Sequence, residues 1–345
     1  MYKCNALIRR DLKSVLVATG LLMTGCTQER HTKVETDGVQ LHVEIGRLDR
    51  ALFRTPPDSL QAASRAAYAE YGEFYKVYIE DILQGAPLGD PQLTMVLGRF
   101  VQDPDWRSTQ QAVDSVLGDM EPERADLEEA FKRMKVLFPD SLTPRVVAFN
   151  SGFNFGIYPT DSVLGVGVEW FIGADHPMIG ILAPEAFPKY VKDRMRPDML
   201  VPSAVKGWLL VHYTRDIRGA DVLTNLVETG KVMALLNALL PDAEPAALFA
   251  FSKEHLAWCE ANEYAIWKEI VSNDQLFSKK ADDIGRLMND GPFTNGLPRE
   301  SPGHIGEWIG YRLVDAYMKE NPNVSFAQLF ALDDPRTILK NYKPR

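Results

Sequence analysis

The sequence is poor in cysteine, in clustered basic charge and in long apolar runs. Of its 345 residues only three are cysteine: Cys4, Cys26 and Cys259. Cys4 and Cys26 both lie in an N-terminal segment of leader character, so at most Cys259 is left to the body, and an internal disulfide is excluded there. Stability must therefore come from a packed core, and about 300 residues with ordinary apolar content can form one. The formal net charge is −9, and no Lys/Arg block occurs in the body of the chain. That excludes the basic face a nucleic-acid backbone requires. The longest N-terminal apolar run, "SVLVATGLLMTG", is 12 residues and too short to cross a bilayer comfortably. Catalytic signatures are missing as well. There is no G-x-S-x-G elbow, no Walker loop and no C-x-x-C, and "GVGVEW" offers only G-x-G without the third glycine of a dinucleotide site.

What is present begins at the N-terminus. Lys3, Arg9, Arg10 and Lys13 precede the apolar run, which closes with "LLMTGC". A positive region, a short apolar region and small residues before a cut form an export signal. "LLMTGC" resembles a bacterial lipobox, with Met23 where leucine is usual. The expectation is a signal peptide at 1–25 and a lipid on Cys26 as the new N-terminus, anchoring the chain to a membrane. A polar tether then covers 26–39 and a single domain 40–345. Loss of 1–25 removes four positive charges and Asp11, taking the net charge to −9 − 3 = −12. The anchor is then the lipid and not charge attraction.

The body reads as α+β, mostly helical with a small sheet. Residues 41–46 alternate as a strand, and 59–137 carry helical periodicity, with Ala67, Tyr71, Phe74, Tyr75, Tyr78 and Ile82 on one face. Val146–Asn150 and Val163–Glu169 read as strands joined by a loop rich in Gly, Asn and Pro. Further helices are expected at about 185–195, 202–215, 220–239, 253–271, 279–288 and 302–320, the last capped by Ser301 and ended by Asn321-Pro322. Gly303, Gly306 and Gly310 would leave a bare face where another backbone approaches. Each glycine costs a helix about 1 kcal/mol relative to alanine.

The stretch "GWLLVHY" (207–213) poses the main chemical question. The H-E-x-x-H pattern places two histidines on one helical face around a metal, with a glutamate activating the bound water. Here Trp208 stands at the first histidine's place and Leu209 at the base's; only His212 matches. Glu228 lies 16 residues further on, about where a third ligand would sit. One histidine and one carboxylate fall short of a catalytic zinc site, so no metal, cofactor or catalytic residue is assigned. The plainer expectation for His212 is a hydrogen bond at the edge of a packing face, and for Glu228 a solvated or capping acid. Trp208, His212, Glu228, His304 and Tyr311 are kept as a candidate residual pocket.

"LVPSAVKGWL", "WCEANEYAIWKEI", "GPFTNGLPRESPGHIGEWIGYRLVDAYMKENP" and "ILKNYKP", with the lipobox, together resemble the gliding motility lipoprotein GldB family of Bacteroidetes. The resemblance implies a cell-envelope lipoprotein. That family is distantly similar to H-E-x-x-H zinc peptidases, in which the zinc helix is followed by an E-G pair and a later G-Y-x-x-G-Y-x-x-V helix. "VETG" around Glu228 and "IGEWIGYRLVDAY" match the latter two in outline. The resemblance thus implies a zincin-like architecture with its metal motif lost. With the zinc set missing, the expected role is non-catalytic binding or scaffolding, with other envelope proteins as partners and, given the acidic balance, no nucleic acid; "TQERHTK" after Cys26 lacks an acidic cluster, which points to the periplasmic face of the outer membrane. The competing expectation is a divergent zinc metallopeptidase using His212, Glu228 and a further ligand such as His304.

Overall fold

The computed structural model describes residues 34–345 except Asn273. The expected signal peptide, the lipidated Cys26 and the first part of the tether lie outside the described residues.

Four strands form one sheet in the order β1-β2-β4-β3: β1 (Ile45–Arg47), β2 (Arg145–Phe149), β3 (Ile157–Pro159) and β4 (Val163–Gly167). β1, β2 and β4 are parallel, with Ile45 opposite Val146 and Val146 opposite Leu164. β3 is an antiparallel edge, Ile157 opposite Val166. Because strand side chains alternate, β2 serves two cores. Val146 and Ala148 face one, and Val147 and Phe149 face the other. Both faces of a largely parallel sheet must be covered, which explains a nearly uninterrupted apolar strand. Helices of the N-terminal third, including Leu60–Tyr71 and Leu93–Gln102, contribute Leu60, Ala67, Tyr71 and Leu97 to the Phe149 face. The later helices and Glu121–Leu137 build the larger core on the other face. Gly165 is required on the Phe149 side, because a β-carbon there would lie 2.8 Å from the rings of both Phe149 and Phe74.

Three helices position the candidate site. The Trp208 helix (Leu200–His212) buries Leu200, Val201, Ala204, Val205, Trp208 and Leu209, a face spaced by threes and fours. The Glu228 helix (Val222–Leu239) is capped by Asp221, whose carboxylate accepts from the Thr224 N–H at 2.9 Å, and is buried almost all round. The terminal long helix (Gly306–Glu320) crosses it at minimal distance. A β-carbon on Gly310 would stand 2.0 Å from the Leu226 carbonyl oxygen, and one on Gly230 2.1 Å from that of Gly310. Of the three glycines expected to form one bare face, Gly310 alone makes this crossing; an added β-carbon on Gly306 would meet the Met288 sulfur at 2.5 Å, and Gly303 lies before the helix against the Gly291 backbone.

Several expected boundaries need correction. Pairing of the first strand begins at Ile45, so residues 41–44 lie outside the ladder. β4 stops at Gly167, and Val168–Phe171 turn into a short 3-10 segment. β3 occupies part of the expected loop, because its partner β4 supplies the hydrogen bonds that local sequence does not. Only Lys189–Lys192 is helical within 185–195, where Pro188 breaks the run. The expected 253–271 helix divides at Asn262, whose side-chain N–H₂ donates back to the Trp258 carbonyl. Ser301 does not cap the terminal helix; it is buried, its hydroxyl accepts from the Thr294 N–H, and the helix begins at Gly306.

Candidate functional site

The Trp208 helix brings two of the singled-out residues together. The Trp208 indole is 1% exposed, and its ring lies 3.7 Å from the His212 imidazole at 33°. On its other side the ring of Phe131 meets it edge-on at 6.4 Å and 90°. His212 directs Nε2 at the Thr160 carbonyl oxygen, 3.1 Å away, so this nitrogen carries the proton and donates. Thr160 directly follows β3, so the imidazole ties the end of the helix to the edge of the sheet. The same register packs Gly207 against β3, where an added β-carbon would sit 2.6 Å from the Ile157 side chain.

Beside this pair lies a cleft of about 470 Å³. Its walls come from Phe138 to Leu142 after the Glu121–Leu137 helix, from Trp208, His212 and Tyr213, and from Ala327. Phe138, Tyr213 and Phe330 form a three-ring cluster, with Phe138 and Tyr213 5.0 Å apart and each 6.0 Å from Phe330. Burial pushes the Tyr213 hydroxyl above its ordinary pKa. Leu142, in the wall, is 62% exposed.

Glu228 is neither solvated nor a cap. Its carboxylate accepts from Lys231 at 2.8 Å and pairs with Arg215 at 2.9 Å. The Lys231 side chain is fully buried and also donates to the Leu332 carbonyl at 2.7 Å. Arg215 in turn pairs with Asp333 at 2.5 Å. Glu228 thus fastens its helix to the chain just after the Trp208 helix and to the segment around Leu332.

His304 and Tyr311 form a third place. The His304 Nε2 donates to the Phe249 carbonyl at 2.9 Å, and Nδ1 faces the Asp290 carboxylate at 3.1 Å. Tyr311 meets the Phe249 ring edge-on at 5.4 Å, and burial raises its hydroxyl pKa, with Asp315 adding to the effect. Burial works against the Asp290 carboxylate, but hydrogen bonds from His304 and Arg194 outweigh it and hold its pKa well below the carboxylate range.

The five residues of the candidate pocket therefore fall into three groups: Trp208 with His212, Glu228 with Lys231 and Arg215, and His304 with Tyr311 around Phe249. Among the described residues no three His, Cys, Asp or Glu side chains converge as a metal-binding group. The ligand set of His212, Glu228 and His304 is not assembled, since each already holds a different protein partner.

Sequence reasoning missed Glu169 and the loop it holds. Its carboxylate is fully buried, and Oε1 accepts from the Ser151 hydroxyl at 2.6 Å, the Ser151 N–H at 2.8 Å and the Phe153 N–H at 3.0 Å. Burial dominates these bonds and pushes its pKa up to about 7. The signal was there: Glu169 is the single charge between Asp161 and Asp175, in an otherwise apolar run.

Fold and site define a mostly helical α+β protein whose helix-borne histidine is stacked on tryptophan and bonded to the sheet edge. The chain belongs to the gliding motility protein GldB family, a lipoprotein family whose model matches residues 29–344. No curated protein and no solved structure matches it. No helix among the described residues is long and apolar enough to cross a membrane.

Proposed function

We propose that this member of the gliding motility family is a lipid-anchored, non-catalytic binding or scaffolding component of the cell envelope. The observation that carries the reading is the filled centre of the Trp208 helix. Where an H-E-x-x-H helix would offer a histidine and a base, this one has a buried indole and Leu209, and His212 spends its ring N–H on Thr160. This supports a zincin-like frame whose metal centre has been repacked. The antiparallel edge strand β3, lying against the same helix, supports that reading too.

The adjoining cleft is the binding surface in this view. Its aromatic wall and exposed Leu142 suit an apolar segment of another envelope protein. The anchor is a diacylglycerol on Cys26, at the periplasmic face of the outer membrane.

A photo-crosslinking side chain placed at Leu142 in intact cells tests the role, with Ile181, equally exposed but outside the cleft, as the control. A discrete envelope-protein adduct is expected from Leu142 and none from Ile181. Equal adducts from both positions, or none, would reject the cleft as a docking site. Equimolar zinc together with peptidase activity lost in His212→Ala would overturn the non-catalytic role and favour the metallopeptidase instead.

A further inference from the structure

The carboxyl ends of the three parallel strands gather buried polar side chains. Asp49 follows β1, Asn150 and Ser151 follow β2, and Glu169 follows β4; all four are buried. They are joined in two sets. Asp49 accepts from Gln110 at 2.8 Å, and the Gln110 side-chain oxygen accepts from Asn150 at 3.2 Å. Ser151 and Phe153 hang on Glu169 as described above. In open sheets with parallel strands, this end is where ligands are commonly held.

A cavity of about 210 Å³ opens beside this end. Leu83, Val96, Phe100 and Trp106 supply apolar wall, and Ser151 and Asn154 make one end polar. The backbone around it is unusual at three places. Tyr78–Ile82, just before Leu83, is a π-helical turn, closed by the Leu83 N–H on the Tyr78 carbonyl at 2.9 Å. Gln84 and Phe153 both have left-handed backbone, with φ of 51° and 65°. π-turns and left-handed non-glycine residues cost energy and recur at ligand sites. Gly152 lets the loop close on the wall: a β-carbon there would stand 3.2 Å from the Trp106 ring.

The chemistry of the lining selects the ligand. None of the described lining residues is charged. Behind Ser151 lies the buried Glu169 carboxyl, which already takes the hydrogen bond of the Ser151 hydroxyl at 2.6 Å. An anion is therefore disfavoured, and no lining cation would compensate it. At the polar end the exposed Asn154 donates to the Ile82 carbonyl at 3.2 Å. Its amide has an oxygen acceptor and a second N–H to offer. An apolar cavity of 150 Å³ holds a six-carbon ring, so this one takes on the order of eight or nine non-hydrogen atoms. That admits one short chain and excludes a diacyl lipid.

We propose that this cavity binds a single neutral alkyl chain of about eight carbons carrying one uncharged hydrogen-bonding head, with the chain against Val96, Phe100 and Trp106 and the head at Asn154. The site is separate from the Trp208 cleft, and no lining residue is shared.

The full chain, anchored in phosphatidylcholine vesicles whose diacyl lipid is too large for the cavity, is titrated with 1-butanol, 1-hexanol, 1-octanol and octanoate, with free concentrations corrected for vesicle uptake. Tryptophan fluorescence is the readout, with Trp106→Phe identifying the reporter. Saturable one-site binding of octanol is expected, with affinity rising about fourfold per methylene along the alcohols. Octanoate at pH 8 should bind more weakly than octanol, because its carboxylate would meet no lining cation at the Asn154 end. Val96→Phe and Leu83→Trp fill the cavity from partly exposed positions. Each should weaken octanol by about tenfold or more while the melting temperature stays within a few degrees. Non-saturable uptake, octanoate as tight as octanol, or affinity indifferent to both fillings would overturn the proposal. If a filled variant fails to fold, the chain-length and charge comparisons on the unaltered protein still decide it.

Discussion

Removing the Glu228 carboxylate separates a structural role from a chemical one. In the folded protein, Glu228→Ala leaves the Lys231 ammonium fully buried with one protein acceptor, the Leu332 carbonyl. Breaking a buried pair from one side costs about 3–5 kcal/mol, because the remaining charge is neither paired nor hydrated. Arg215, a third exposed, contributes little of this, since solvent screens it and Asp333 already pairs with it. A chain of this size loses roughly 2 °C of melting temperature per kcal/mol. Glu228→Ala should therefore melt about 6–10 °C below the parent, measured by circular dichroism and checked by urea unfolding. The double variant Glu228→Leu with Lys231→Met removes both charges and should recover most of the loss, because an apolar pair of similar volume is tolerated where a lone charge is not. Additive losses in the double variant would refute the coupling. So would a melting temperature within about 1 °C of the parent in Glu228→Ala, which would point to a residue kept for something other than stability.

Gly310→Ala should destabilise by about 3 kcal/mol or more in the same assay, since its methyl group meets the Leu226 carbonyl and the two helices must part; an unchanged midpoint would refute the close crossing. Trp208→Ala should cost about 3–5 kcal/mol by opening a cavity between Phe131 and His212, and a loss below 1 kcal/mol would show that the indole is not a core residue. Glu169 is raised from 4.5 to about 7 on folding, so its contribution is complete below pH 4.5 and is lost as pH rises through 7. Between pH 5 and pH 8 the parent should lose about 3 kcal/mol relative to Glu169→Gln, compared by urea unfolding at each pH; parallel pH profiles would refute the assignment. Cys26→Ser should abolish acyl labelling and move the protein from the membrane to the soluble fraction, and persistence at the membrane would place the anchor elsewhere.

The parts legible in the sequence are those fixed by local pattern. β2 and β4 could be read because a strand covered on both faces is a short run of β-branched and apolar residues. The Trp208 and Glu228 helices could be read because their apolar spacing is long and their ends carry turn or cap residues, as Asp221 does. β3 could not. Ile157 and Tyr158 favour a strand, but a three-residue run between Gly156 and Thr160 that ends in proline is too short to read as one, and it exists as a strand because β4 lies alongside. The start of the terminal helix was misread for a related reason. Ser301-Pro302 has the form of a cap, but Ser301 is claimed by Thr294, and His304 turns through a φ of 41° before the helix begins.

The site was legible as residues but not as partners. His212 could be flagged by its place in "GWLLVH", yet its acceptor Thr160 lies 52 positions away and is brought near only by the β3 edge. Glu228 and Lys231 stand at helical spacing, and that alone suggests a solvated pair worth a few tenths of a kcal/mol. Burial of the whole helix changes its meaning. The ammonium is enclosed, and the pair becomes a fastening between the Glu228 helix, Arg215 and the segment around Leu332. The same burial logic separates the two concave places on the molecule. The Trp208 cleft has an aromatic wall and an exposed rim, which suits a segment of another protein. The cavity at the strand ends is smaller and has an uncharged lining, which suits a short neutral chain. Neither place needs the metal-ligand geometry that the zinc-peptidase likeness would have supplied. A Trp208→Ala protein that stays folded should therefore still bind octanol at the strand ends, and loss of that binding would mean the two places act as one site.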